Sequence, residues 1–232
     1  MRIWVTRTSP DAEATAERLR ALGHAPLVAP VLEVRLIESP RPMLDGVGAL
    51  AFTSRNGVAA FVAICAGRDL PVFVVGEATA RAARAAGFAR VQSADGDVTA
   101  LADLIVRGRN GFSGVLLHPG AHAPAEDLPG ALKPHGVLAR SHPVYRTDPA
   151  RLPVAVTAAL AARPLELDGV LVHSPRAAEY LAALPDLQRA AQLIDAYCIS
   201  AAAAAPLRSL DLRSVAVAPH PDETALLNLL SS

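Results

Sequence analysis

Two short runs hold residues whose types and spacing could grip an anion. Residues 53–57 read Thr-Ser-Arg-Asn-Gly, directly after the apolar run Ala49-Leu50-Ala51-Phe52. Residues 174–176 read Ser-Pro-Arg, directly after Leu171-Val172-His173. In both, a strand pattern stops at a hydroxyl, an arginine follows, and a helical pattern begins. A helix start has unpaired N–H groups and a partial positive charge, so a hydroxyl there either caps the helix or helps to hold an anion. The two serines lie 174 − 54 = 120 residues apart. The repetition, with arginines nearby, favours binding over capping alone.

Other strand ends extend the set. They offer Thr6-Arg7-Thr8, Gly76-Glu77-Ala78-Thr79, His118-Pro119-Gly120-Ala121-His122, Ser200-Ala201 and His220. The candidate anion-binding residues are therefore Arg7, Thr53, Ser54, Arg55, Asn56, Gly57, Gly76, Thr79, Gly120, Ser174, Arg176, Ser200 and Ala201. Several catalytic templates are missing: GxGxxG, GxxxxGK[ST] and the G-x-S-x-G elbow do not occur. His118 and His122 form an HxxxH that contains Pro119 and Gly120, so it reads as a loop and not as a metal-binding helix face. No metal is expected.

Such strand ends need sheets that present them on one edge. Short apolar runs such as RIWVTR, ALAFTS, PVFVVG, GVLLHPG, LDGVLVHS, YCIS and SVAVAPH alternate with helical patterns. The first helix is expected over SPDAEATAERLRALG, with Ser9 as cap and Pro10 in its first turn. APAEDLPGALKPHG and QRAAQLIDA also read as helices. Apolar strands joined by helices mean parallel sheets covered on both faces. Right-handed crossovers gather the carboxyl ends of the strands, where open α/β sheets bind ligands.

The fold class expected is α/β, with two parallel-sheet, flavodoxin- or Rossmann-like domains. Proline-marked extended runs over 28–42 and 137–149 look too long and too polar for buried parallel strands, so they predict two crossings between domains. One domain would combine 1–36 with 147–232 and the other would hold 40–142, with linkers at about 32–40 and 140–148 and a cleft between the domains. One wide sheet with two long loops is the alternative. Tyr145, in HPVYRT on the second linker, either packs its ring there or turns its phenol to the cleft.

Composition narrows the class. Lys+Arg 22 balances Asp+Glu 22 in 232 residues, which argues against an electrostatic nucleic-acid binder. Lys133 is the only lysine, so an anion site here would use planar, two-pronged guanidinium donors. Cys65 and Cys198 lack metal or redox spacing and read as free cytosolic thiols. No run is long enough for a membrane span and the N-terminus is no signal peptide, so a soluble cytoplasmic protein is expected.

Together these segments resemble the uroporphyrinogen-III synthase family. The likeness rests on VTRTSPDAEATAERLRALGHAPLVAPVLEV, FTSRNGVAAF, VVGEATARAARAAGF, PVYRT, LVHSPRAAEYL and VAVAPHPDETALLNLL, in that order over nearly the whole chain. It implies a cofactor-free lyase of tetrapyrrole and heme biosynthesis with two α/β domains and an active-site cleft. Its substrate would be hydroxymethylbilane, a linear tetrapyrrole octacarboxylate, closed with loss of water and inversion of ring D. Tyr145 matches the family's linker tyrosine and becomes the candidate general acid; a phenol is a weak acid, so it would assist without being essential. The chain departs from the family pattern at Ala201–Ala205, where a threonine is common, and at His118-Pro119, where arginine-glycine is common. A monomer is expected. Two rivals remain at this stage: a non-catalytic two-domain sensor for an anionic small molecule, and a nucleotide-sugar transferase.

Overall fold

In the computed structural model, which describes all residues except Pro10, Ser39, Pro40, Ala125 and Ser232, the alternating patterns become two separate sheets. The chain runs β1 (Arg2–Val5), α1 (Asp11–Ala21), β2 (Ala25–Val28) and β3 (Leu32–Leu36). It continues through β4 (Val47–Phe52), α2 (Arg55–Ile64), β5 (Val72–Val74), α3 (Glu77–Ala85), β6 (Val91–Ser93), α4 (Val98–Gly108), β7 (Val115–Ala121), α5 (Leu128–Leu132) and β8 (Ala139–Pro149). The last part is α6 (Val154–Ala161), β9 (Gly169–Val172), α7 (Pro175–Ala182), α8 (Pro185–Ala190), β10 (Asp195–Cys198), α9 (Ala201–Ala204), β11 (Ser214–Val217) and α10 (Glu223–Asn228).

The chain divides into two compact units, Met1–Glu33 with Asp148–Ser232, and Val34–Thr147. In the first, the strands order β2-β1-β9-β10-β11, every pair parallel. The winding direction reverses between β1 and β9. In the second, the order is β3-β8-β7-β4-β5-β6. The pairs from β8 to β6 are parallel, and the reversal falls between β4 and β7. At such a reversal the neighbouring crossovers leave in opposite directions and open a crevice at the carboxyl edge.

The apolar strands are continuous because each side of each sheet is covered. Trp4, Val170 and Val172 lie in one buried cluster, and Ile3, Val5 and Leu171 in another. Phe52 and Leu50 likewise pack apart from Ala49 and Ala51. Alternate residues thus enter opposite cores, as strand geometry requires. Each buried Leu, Val or Phe stabilises by about 1.5–3 kcal/mol. Trp4 also donates its indole N–H to the Ala29 carbonyl at 2.7 Å, leaving no orphan donor on its ring.

Local differences from the sequence reading have simple causes. The linker expected at about 140–148, within an extended run over 137–149, lies in β8 (Ala139–Pro149), which pairs with β7 from Leu116↔Ala139 onward. Its alternating polar residues suit a strand near a sheet edge, next to β3, where full burial is not required. Asp195 and Ala196 belong to β10, not to a preceding helix, and α5 is only five residues before a 3-10 turn at Lys133–His135. The first helix begins at Asp11; the Pro10 expected in its first turn lies outside the described residues.

Candidate active site

The reversals carry Arg7, Ser174 and Arg176 in the first unit and Thr53–Gly57 and Gly120 in the second, while Gly76 and Thr79 follow β5 and Ser200 and Ala201 follow β10. In the second unit, β4 ends at Phe52 and α2 begins at Arg55, so Thr53 and Ser54 form the join. Ser54 is the N-cap, and its Oγ accepts from the Gly57 N–H at 3.0 Å. The same Oγ lies 3.0 Å from the Tyr145 hydroxyl. Tyr145 is 8% exposed and packs with Ala60 and Val144. A register shift after Gly120↔Pro143 places Tyr145, not Val144, opposite Ala121. That bulge decides which side chain faces Ser54.

Beside this pair, Thr53 Oγ1 lies 3.2 Å from His118 Nε2, and the other ring nitrogen lies 3.5 Å from Ser141 Oγ. Burial pushes the His118 imidazole below its usual range, opposed by the Asp127 carboxylate, so it stays neutral at pH 7. Two glycines allow the close fit. A Cβ on Gly57 would come 2.9 Å from the Pro119 carbonyl oxygen, and one on Gly120 would come 3.1 Å from His118 Nε2. Arg55 and Asn56 start α2 and are half-buried, so their N–H groups belong to its open first turn. Gly76 caps α3 without a side chain, and Thr79 is buried in the first turn of that helix.

In the first unit, Ser174 caps α7 by accepting from the Ala177 N–H at 3.2 Å, and Ser200 caps α9 from the Ala203 N–H at 3.2 Å. Pro175 removes one donor from the α7 start. Arg176 and Ala201 are exposed. Arg7 is turned inward: its guanidinium meets Glu223 at 2.8 Å and Asp11 at 3.0 Å. Glu223 also accepts from Thr15 at 2.5 Å and from His173 Nε2 at 3.1 Å.

Burial alone would raise the Glu223 carboxyl, but the bonds from His173 and Thr15 and the Arg7 charge outweigh it and hold it at about 2. Among the described residues His173 Nδ1 has no hydrogen-bond partner. Glu223, Thr15 and His173 escaped the sequence reading as a cluster. Thr15 and Glu223 are 208 residues apart, and nothing in DETALLNLL marks its acid as buried.

The arrangement in the second unit supplies neutral hydroxyls, a phenol and backbone N–H groups at a strand reversal, which suits holding an anion. The family described as uroporphyrinogen-III synthase HemD matches residues 13–228. A uroporphyrinogen-III synthetase from Helicobacter pylori shares the fold at TM-score 0.67 and 17% identity, over 99% of this chain and 97% of that one. A mutant uroporphyrinogen III synthase from the extremely thermophilic bacterium Thermus thermophilus does so at TM-score 0.56 and 20% identity, over 100% and 98%. No curated protein sequence matches the chain. On the family match, which spans nearly the whole length, the chain belongs to the uroporphyrinogen-III synthases, the lyases that close a linear tetrapyrrole.

Proposed function

We propose that hydroxymethylbilane is bound at these helix starts and that Tyr145 assists departure of its hydroxyl. The observation that carries the role of Tyr145 is its hydrogen bond to Ser54 at the start of α2. Ser54 Oγ already accepts from Gly57, so its own proton is available to the phenol oxygen. The Tyr145 proton is then free for the leaving hydroxyl, and a donor into the phenol oxygen eases the charge that develops on it.

In the family's reaction the pyrrole nitrogen lone pair pushes out the protonated hydroxyl as water and leaves a cationic azafulvene methylene. The substituted α-carbon of ring D attacks that methylene and gives a spiro intermediate. The bond from the spiro carbon to the methylene shared with ring C then breaks and leaves that methylene as a second azafulvene. The free α-carbon of ring D, on the other side of its nitrogen, attacks it, and loss of a proton restores the pyrrole. Without control the bilane closes at the free position and ring D is not inverted. Positioning is therefore the main demand, and it can supply several kcal/mol, up to about 7–11 in good intramolecular cases.

Each unit offers its own donors for acetate and propionate arms: Thr53, Ser54, Arg55, Asn56, Gly57, Gly76, Thr79 and Gly120 in the second unit, and Ser174, Arg176, Ser200 and Ala201 in the first. Arg7, engaged by Glu223 and Asp11, holds that unit's strand ends in place. The chain is read as a cytoplasmic monomer; among the described residues no helix is long and apolar enough to cross a membrane. The test is isomer analysis after incubation with fresh hydroxymethylbilane. A type III fraction well above the spontaneous background is expected, and a fraction at background defeats the reading.

A further inference from the structure

His118 lies in β7 at the reversal of the second sheet and is only 2% exposed. Both ring nitrogens have a hydroxyl neighbour, Thr53 on one side and Ser141 on the other. A neutral imidazole has one N–H, and each hydroxyl has one proton. If Nε2 carries the hydrogen, it donates to Thr53 Oγ1, and Nδ1 accepts from Ser141. Ser141 is exposed, so its hydroxyl turns to donate without strain. The Thr53 proton is then left for a ligand. In the other tautomer Thr53 donates inward, and only lone pairs face a carboxylate at the start of α2, where the helix otherwise attracts anions.

We infer that His118 is a positioning residue that holds the Thr53 oxygen through Nε2–H, so that the Thr53 hydroxyl donates to a carboxylate of the substrate. The inference rests on the binding role proposed for Thr53. Two features support a built contact: His118 is buried as a neutral ring, and Gly120 leaves the space its Nε2 occupies, since any Cβ there would crowd it at 3.1 Å. The histidine needs its tautomer fixed for this, whereas an arginine at the same position would already be a pure donor.

Two measurements on the full chain test it. ¹⁵N NMR of the ring reads the tautomer without turnover; Nε2–H is expected, and an Nδ1–H ring overturns the inference. The second is a double-mutant cycle on the KM for hydroxymethylbilane. His118→Leu should raise KM about five- to tenfold, the range for one lost hydrogen bond between neutral groups, with kcat changed less than about twofold. His118→Gln, whose amide nitrogen stands in for Nε2–H, should recover most of the loss. In a Thr53→Val background His118→Leu should have no further effect on KM, whereas an equal additional rise would show that His118 acts only through packing. A wild-type chain that forms only the type I isomer would sink the parent reading instead, and the ring tautomer would still decide the inference.

Discussion

The two strand reversals use opposite electrostatics. In the first unit, Arg7, Glu223, Asp11 and His173 draw their bonds from one another, around a carboxylate that is 18% exposed. In the second, Thr53, Ser54, His118 and Tyr145 are neutral and joined by hydroxyl bonds of 3.0–3.2 Å. A buried charge must be paired at all times, so an arginine at a strand end is drawn to a carboxylate of its own chain. A neutral hydroxyl can hold one bond inward and keep another atom for a ligand. On the proposed role of Tyr145, the charges of the first reversal serve rigidity and the neutral groups of the second serve the chemistry.

The largest effect that would break this assignment is in stability. Glu223→Gln removes the negative charge between Arg7 and His173 and turns one of its two acceptor oxygens into an N–H donor, leaving Asp11 as the acid partner of Arg7, so it should cost about 2–3 kcal/mol in urea unfolding. Thr53→Val should cost about 1 kcal/mol. Equal losses would erase the contrast. The pH dependence sharpens it. Glu223 titrates near 4.5 when unfolded and about 2 when folded, so its contribution is complete above pH 4.5 and fades as pH falls through about 2. Burial lowers His173 from its usual 6.5, so the unfolded chain takes up that proton first and stability begins to fall below pH 6.5. Urea midpoints from pH 7 to pH 2 should show both segments. In Glu223→Gln the segment below pH 4.5 should flatten.

The next effect is kinetic and belongs to the second unit. Tyr145→Phe should lower kcat by about one to two orders of magnitude, at or below the low end of a general-acid contribution because a phenol is a weak donor, with little change in unfolding free energy. Complete loss with an intact fold would make the phenol indispensable, and unchanged kcat would reduce it to packing against Ala60 and Val144. Arg176→Ala comes lower. An exposed guanidinium contributes at most about 1 kcal/mol to a carboxylate contact, so KM should rise no more than about fivefold. A larger rise would mean that Arg176 is desolvated when substrate binds, and would weaken the view that the first unit is mainly structural.

How far these contrasts were legible in the sequence depends on range. The serine caps were visible because a hydroxyl, three residues and a helical period are local signals, and Ser54, Ser174 and Ser200 all cap as such spacing suggests. The α/β class followed from apolar runs such as Ala49–Phe52, which are continuous because both faces of the strand are buried. Arg7 was read from its place after a strand as a ligand for substrate, but its partner lies 216 residues away at the start of α10. The sequence places His118 at a strand end and rejects it as a metal ligand from its local spacing to His122, but its approach to Thr53 is set by pairing of β4 with β7 and has no local signal. Residues 139–149 looked too polar to be a sheet strand because periodicity does not reveal where in a sheet a strand will lie.

The smallest effects give the finest test, and the fold supplies their control. Gly76 caps α3 with φ −158° and ψ 169°, nearly the backbone of Ser54, Ser174 and Ser200, yet without a hydroxyl. Glycine is therefore a compatible residue at all three serine caps, and each Ser→Gly change should cost only a few tenths of a kcal/mol in stability. What remains is the hydroxyl's part in catalysis. Ser54→Gly removes the group that meets Tyr145 and should lower kcat by about fivefold, less than Tyr145→Phe because the phenol itself stays. Ser174→Gly and Ser200→Gly should change kcat and KM less than about twofold if backbone N–H groups do the binding in the first unit. Three equal kinetic losses would instead make all the caps ligand donors, and the division of labour between the two reversals would have to be abandoned.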